Sequence, residues 1–320
     1  MIFIFTRISD ATTVLLIQWL IQFKKEFFRF NTTRAFTGTS FTCDLDNVED
    51  NATNTSGISA ENISSFYFNG GNVLVPPGIC KENDLDRQIS FHLRSEAAAL
   101  LEFELGKVNS KVQFGLSPFS TQKINKLTVL RLAKELGLNV PRTAVVSDKK
   151  RLEDLKMKWG RVINKSINEG MELETECFLV SGQRTEEVNE LDIEKFSSTF
   201  FPSLFQELIE KKFELRVFYF RGGFHSIAIF SQSARSSLVD SRNVDYNRPS
   251  RQVPYLLPEN IKLKIGKLMD ALSLNYGSLD FIIGVDDRYH FLEVNPYGQY
   301  GFLSTAGNFY LEKKIAQYLQ

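Results

Sequence analysis

The chain has 320 residues, enough for one large core or several smaller lobes. Its 38 basic side chains balance 38 acidic ones, so no overall charge favours nucleic acid or an anionic membrane surface as a partner. The three cysteines are widely spaced and form no CxxC pair, which argues against a disulfide framework or a zinc site. No apolar run reaches the roughly eighteen residues that span a bilayer, and the apolar start lacks a basic n-region and a cleavage site. We therefore expect a cytoplasmic protein.

The first part of the chain has the pattern of an α/β unit. Residues 2–5 predict a strand and residues 11–23 a helix, with Asp10, Thr12 and Thr13 as capping candidates. A second strand is predicted at 27–30, surface strands and a mobile loop at 31–65, and a helix at 89–105. Strand followed by helix is the usual opening of an α/β domain.

The middle of the chain alternates helices and strands. A helix is predicted at 121–136, ending at Gly137, the residue type that most often adopts the left-handed conformation after a helix. A turn into a strand at 138–146, a helix at 148–158 and strands at 161–165 and 176–180 follow. This order of elements predicts a mixed α/β fold.

The last third contains two predicted hairpins. A strand at 204–209 precedes strands at 213–220 and 224–231, which are joined by the turn signal Arg221-Gly222-Gly223. A helix at 258–272 leads to strands at 278–285 and 288–295, and a short helix is predicted near 309–319. No repeat of fixed period is present.

The second hairpin carries a candidate metal site. A two-residue turn at Asp286-Asp287 would place residue 284 opposite 289, 282 opposite 291 and 280 opposite 293. Side chains alternate between faces, so Glu293, Asn295 and Asp280 would share one face. Two carboxylates opposed at roughly 5 Å repel each other, and a divalent cation relieves that repulsion. Hard oxygen ligands of this kind suit Mg²⁺. The alternative is a solvent-facing strand with ordinary charges.

Three basic side chains are candidates for binding phosphate. Lys126 is on the helix before Gly137, and Lys165 ends a strand before a loop that contains Gly170. Arg216 interrupts an otherwise apolar strand, where a charged side chain is rarely buried without a partner. Taken alone, each lysine is more typical of a solvated surface charge than of a phosphate site.

Five segments, in order, resemble those of the ATP-grasp ligases. They are NKL at 125–127 with GLNVPRT at 137–143, VINK at 162–165, FQELIE at 205–210 with FELRV at 213–217, GSLD at 277–280, and FLEVNP at 291–296. The continuation YGQY at 297–300, with SQ at 231–232, DSR at 240–242 and DYN at 245–247, is similar to the graspetide synthetases, the microviridin-type peptide maturases. Together the matches cover about residues 115–310.

The resemblance implies a fold and an activity. The fold would be α/β (α+β) ATP-grasp, with a pre-ATP-grasp domain at 1–115, a central lobe at 116–200 and a C-terminal lobe at 201–320. The activity would be ATP- and Mg²⁺-dependent macrocyclisation of a ribosomally made precursor peptide. Asp or Glu side chains would become acyl-phosphates, which Ser/Thr hydroxyls or Lys amines attack to give ester or amide rings. The partner would be a leader-plus-core peptide, with the leader docking on the face of residues 166–200, and the chain would form a homodimer.

The resemblance also implies a role for each matching residue. Lys126 and Lys165 would contact the phosphates, and Arg216 would lie near the γ-phosphate and the acyl-phosphate. The segment Gln206, Glu207, Leu208 and Ile209 would lie beside adenine, with Glu210 at the ribose. Asp280, Glu293 and Asn295 would hold Mg²⁺, in agreement with the strand pairing. Further catalytic residues would be Arg235, Asp240 and Arg242, the two arginines holding the substrate carboxylate.

One segment departs from the family pattern, because the loop after Lys165 contains the single glycine Gly170 where the family has a glycine-rich loop. This loop therefore makes a poor phosphate cradle, and we expect it to close only with substrate present. Two other functions stay open. The chain could be an ATP-grasp ligase that adds free amino acids to a peptide or protein, or a non-catalytic nucleotide- or peptide-binding module.

Overall fold

The computed structural model describes residues 1–7, 9–31, 63–70, 114–116, 124–167, 172–174, 179–181, 185–231 and 250–320, with isolated helical positions at 89, 92, 93, 95, 96, 99 and 103. The strands are β1 Ile2–Thr6, β2 Phe27–Asn31, β3 Ser65–Asn69, β4 Phe114–Leu116, β5 Thr143–Asp148, β6 Val162–Lys165, β7 Glu172–Glu174, β8 Leu179–Ser181, β9 Glu186–Glu187, β10 Thr199–Glu207, β11 Lys211–Phe220, β12 Gly223–Phe230, β13 Arg251–Pro254, β14 Tyr276–Gly284 and β15 Tyr289–Asn295. The helices are α1 Ala11–Gln22, α2 Lys126–Glu135, α3 Lys149–Trp159, α4 Glu190–Lys195, α5 Glu259–Ala271, α6 Gly301–Gly307 and α7 Leu311–Tyr318.

Contacts divide the chain into two compact units. The first comprises residues 1–123, 272–277 and 296–320, and the second residues 124–271 and 278–295. The division into three lobes at 115 and 200 stays a prediction. Among the helices of the described residues, none combines the length and the apolar character needed to cross a membrane.

The first unit contains a parallel sheet in the order β2-β1-β3-β4. Every residue of β1 is buried, as expected for a central strand of a parallel sheet covered on both faces. Asp10 caps α1 by accepting hydrogen bonds from the amides of Thr12 and Thr13, at 3.0 and 3.3 Å, which confirms the predicted cap. The single helix predicted near 309–319 is the second of two helices. We missed α6 because it is short and glycine-flanked, and Asn308 ends it in the left-handed conformation.

The second unit contains two antiparallel sheets, in the orders β5-β10-β6-β9 and β13-β12-β11-β14-β15, and the small pair β7-β8. The predicted helix at 121–136 included residues 124 and 125. This was wrong, because neither residue is helical. Helix α2 begins at Lys126 because the Asn125 side chain accepts a hydrogen bond from the amide of Thr128, at 3.1 Å. Gly137 follows α2 with a φ of 81°, as expected for a left-handed residue beyond a helix end.

Candidate functional site

The hairpin β14–β15 is bulged. Its observed pairs near the turn are 283 with 289, 282 with 290 and 281 with 291, so the register predicted there was wrong. The turn is wider than two residues, since the amide of Gly284 donates to the carbonyl of Arg288 at 3.0 Å. The register then shifts between Asp280 and Phe281, and Asp280 lies opposite Glu293 as predicted. Leu292 is the extra residue that restores this pair.

Both strands of the hairpin border the cavity of the second unit. Leu292 and Glu293 line it from β15, and Phe281 and Ile282 line it from β14. Asp280 and Arg216 line the same cavity. Asn295 lies opposite Ser278, two positions along the ladder from the Asp280–Glu293 pair.

Each of the two opposed carboxylates has a cationic neighbour. Arg216 Nε is 2.6 Å from Asp280 Oδ1, and Lys126 Nζ is 3.3 Å from Glu293 Oε2. Burial raises the pKa of Asp280 to about 6; Arg216 opposes this rise and Glu293 adds to it. The facing carboxylates of Asp280 and Glu293 therefore repel each other, and each is partly neutralised by a cationic side chain.

These residues fit a magnesium ion. Mg²⁺ is held by one or two carboxylates and keeps its other positions for water and phosphate oxygens. Within the described residues there is no group of three or more His, Cys, Asp or Glu side chains that could hold a metal. The candidate set is accordingly small: two facing carboxylates, with the amide of Asn295 beside them. Such a set suits a metal that also binds a nucleotide.

The tertiary structure brings both candidate lysines to the same cavity. Lys126 is the first residue of α2, and its Nζ donates to the carbonyl of Ser166 at 3.3 Å. Lys165 is the last residue of β6, and its Nζ donates to Gln206 Oε1 at 3.5 Å. Both lysines line the cavity with Asp280 and Glu293, so it is bordered by cations and carboxylates together.

The end of β10 and the two residues after it form another wall of the cavity. Gln206, Glu207, Leu208 and Ile209 line it, and Gln206 is only 2% exposed. The Gln206 side-chain amide donates to Thr143 Oγ1 at 3.0 Å, which fixes its orientation. Glu210 is exposed and is not among the described residues that line the cavity.

The sequence prediction missed the pair of charged residues Lys211 and Glu214. The Lys211 side chain is 5% exposed and forms an ion pair with Glu214. Glu214 Oε1 also accepts a hydrogen bond from Ser231 Oγ at 3.1 Å. Both charged residues line the cavity. A signal was available, because Glu214 precedes Arg216 by two positions on one strand and such residues share a face.

Some predicted site residues cannot be placed. Arg235, Asp240 and Arg242 lie outside the described residues, as do positions 168–171 of the loop after Lys165.

Comparison with known proteins places the fold. No family model matches the sequence, and no curated protein matches it. Solved structures do match, and they include ATP-grasp ligases and a macrocyclase. The predicted α/β ATP-grasp fold is therefore confirmed.

Three of these structures match nearly the whole chain. One is the macrocyclase MdnC from Microcystis aeruginosa MRC bound with precursor peptide MdnA, with 22% identity, a TM-score of 0.80, and coverage of 99% of this chain and 98% of that one. Another is the Chryseobacterium gregarium RiPP-associated ATP-grasp ligase with ADP and a leader and core peptide. Its identity is 23% and its TM-score 0.81, and the match covers 99% of this chain and 96% of that one. The third is the ATP-grasp ligase PsnB with a phosphomimetic variant of a minimal precursor, Mg and ADP. Its identity is 17% and its TM-score 0.76, and the match covers 99% of this chain and 97% of that one. The similarity to peptide-modifying ATP-grasp ligases is thus one of fold.

Proposed function

We propose that this chain is an enzyme that uses ATP and Mg²⁺ to macrocyclise a ribosomally made precursor peptide. The observation that carries the proposal is one cavity lined by Lys126, Lys165, Arg216 and the facing pair Asp280 and Glu293. The cavity lies in a fold shared over nearly the whole chain with ligases whose solved complexes contain ADP, Mg and precursor peptides. Cytoplasmic location belongs to the same proposal.

The reaction needs positioning and charge neutralisation more than covalent chemistry from the protein. A side-chain carboxylate of the peptide takes the terminal phosphoryl group of ATP, and ADP leaves. A hydroxyl or amine of the peptide then attacks the acyl carbon, loses its proton and displaces phosphate. The amide or ester ring forms with the net loss of one water.

The cationic side chains are proposed to bind the reacting groups. Lys126 and Lys165 would hold the phosphates, and Arg216 would neutralise charge on the transferring phosphoryl and the acyl-phosphate. Asp280, Glu293 and Asn295 would hold magnesium, which when bound neutralises phosphate charge as a Lewis acid.

The segment from Gln206 to Ile209 is proposed to receive the adenine. Its residues line the cavity. Glu210, the next residue along the chain, is proposed to accept hydrogen bonds from the ribose hydroxyls.

The proposed partner is a peptide with a leader and an acidic, Ser/Thr- or Lys-containing core. MdnC was solved with its precursor peptide, and the Chryseobacterium ligase with a leader and a core peptide. We retain residues 166–200 as the proposed leader-binding face and Arg235, Asp240 and Arg242 as the residues proposed to act on the core.

We also propose the homodimer that the resemblance implies. Helix α1 supports it, because the helix has no charged side chain and Val14, Leu15 and Ile21 on its surface are 41%, 39% and 61% exposed. Light scattering is expected to give twice the 36.6 kDa mass of one copy, and Leu15→Glu is expected to lower it to one copy. A single-copy mass for the unaltered chain would contradict the dimer.

The activity is tested with the purified chain, ATP, Mg²⁺ and peptides rich in Thr/Ser and Glu/Asp, including any such peptide encoded beside the gene. Each ring is expected to lower the peptide mass by one water and to release one ADP. Chelation of Mg²⁺ is expected to slow ADP release by about 100-fold or more, since the metal supplies several kcal/mol of charge stabilisation.

The same mass measurement separates the other functions. A peptide that gains the mass of an amino acid would indicate the ligase that adds free amino acids. Binding of nucleotide without ADP release, with every acidic peptide tested, would indicate a non-catalytic module.

A further inference from the structure

The residue Arg142 holds one wall of the cavity from outside. Its Nε and Nη2 donate to the two carboxylate oxygens of Glu207 at 2.8 and 2.6 Å, a bidentate pair. The same guanidinium donates to the carbonyls of Lys158 and Trp159, at 3.2 and 3.4 Å, and lies 5.7 Å from the centre of the Trp159 ring. Arg142 therefore connects the C-terminal end of α3 to Glu207.

The backbone of the wall is held as well. The amide of Glu207 donates to the carbonyl of Arg142, and the amide of Leu208 donates to the carbonyl of Arg161, both at 2.9 Å. These two arginines come directly before β5 and β6, the strands that flank β10. The consecutive amides of Glu207 and Leu208 therefore donate to residues on opposite sides of β10, and these two bonds fix the peptide plane between Glu207 and Leu208.

Glu207 is the charged residue of this segment, and it lines the cavity while its carboxylate is bonded to Arg142. The two hydrogen bonds from Arg142 lower its pKa, so it stays ionised at neutral pH. Without Arg142, the partly buried carboxylate of Glu207 would lose both hydrogen bonds and would turn toward solvent or toward another hydrogen-bond donor. The segment that carries it would then shift at the place proposed for the base.

We propose that Arg142 is a positioning residue for nucleotide binding, which acts by holding Glu207 so that the 206–209 segment presents fixed backbone groups to the base. This inference rests on the proposed function, since it assumes that the cavity receives a nucleotide. Arg142 itself is not among the described residues that line the cavity, so it would act on a bound nucleotide only through Glu207.

The chain supplies a matched control in the pair Arg161 and Glu187. This pair is also bidentate, at 2.7 and 2.6 Å, and lies on the other side of β10. Its exposure is similar, with side chains 59% and 32% exposed against 45% and 24% for Arg142 and Glu207. Neither Arg161 nor Glu187 is among the described residues that line the cavity. Replacing either arginine by alanine removes a comparable side-chain pair and keeps the backbone bonds, but only the Arg142 side chain is bonded to a residue of the cavity wall.

The test measures the Kd of Mg·ADP by calorimetry, with thermal unfolding recorded for each variant. Arg142→Ala is expected to weaken binding roughly 10-fold, within the range for losing a charge-assisted hydrogen bond. Arg142→Lys, which keeps the charge but not the fork, is expected to be intermediate. Arg161→Ala is expected to lower the unfolding temperature about as much as Arg142→Ala does, and to leave the Kd of Mg·ADP unchanged.

A double variant tests whether Arg142 acts through Glu207. Glu207→Gln is expected to weaken binding about as much as Arg142→Ala, and the double variant no more than either alone. Full additivity, an unchanged Kd for Arg142→Ala, or equal weakening by Arg161→Ala would overturn the positioning role. If the unaltered chain bound no Mg·ADP, the proposed function would fail and the positioning role with it.

Discussion

Arg216→Ala is expected to lower ATP-dependent ring formation by about 10³-fold, the scale typical of an arginine that stabilises a transferring phosphoryl group. The same change is expected to destabilise the folded chain. The ion pair with Asp280 is short, at 2.6 Å, and its side chains are only 20% and 24% exposed. Loss of Arg216 leaves a partly buried carboxylate without this partner, and removing one partner of a buried pair costs roughly 3–5 kcal/mol. The measurements are the rate of ADP release and unfolding in urea.

A double variant tests the stability effect of Arg216. In Arg216→Ala with Asp280→Asn, the unpaired charge is absent, so stability is expected to recover; the catalytic effect is read from the single Arg216→Ala variant, because Asp280 is itself a proposed magnesium ligand. Arg216→Lys is expected to keep more stability than Arg216→Ala because the positive charge remains. Undiminished ring formation by a folded Arg216→Ala chain would refute the catalytic assignment.

Glu293→Ala is expected to remove the magnesium dependence of nucleotide binding and to abolish loss of water from the peptide, while peptide binding persists. The variant loses both the repulsion between Glu293 and Asp280 and the ion pair of Glu293 with Lys126, two opposing effects, so its stability is expected to stay close to that of the unaltered chain when Mg²⁺ is absent. This combination of lost activity and retained stability distinguishes a metal ligand from a structural residue. Calorimetric titration with ADP, with and without Mg²⁺, measures the effect.

The same hairpin provides the control. Asp287 lies in the turn, is 76% exposed and forms an ion pair with Lys212 away from the cavity. Asp287→Ala removes an acidic side chain of the same hairpin and is expected to leave both magnesium dependence and ring formation unchanged. Complete dehydration of the peptide by Glu293→Ala would rule out Glu293 as a metal ligand.

Local patterns in the sequence were sufficient for most elements of the fold. The capping role of Asp10, the helix end at Gly137 and the two hairpins depend on residue types and their spacing, which act over a few positions. Sequence reasoning also paired Asp280 with Glu293. That result was right although the turn register was wrong, because the bulge at Leu292 cancels the shift made by the wider turn.

The sequence by itself determined which residue types were available for the chemistry: two opposed carboxylates on adjacent strands, and basic residues at Lys126, Lys165 and Arg216. Tertiary structure decided their neighbours. It placed the lysines, from α2 and β6, beside residues more than a hundred positions away, and added Glu214 and the Arg142–Glu207 pair to the cavity wall. Strand alternation and helix capping are set by nearby residues, whereas these contacts depend on how distant strands pack, which no local spacing encodes.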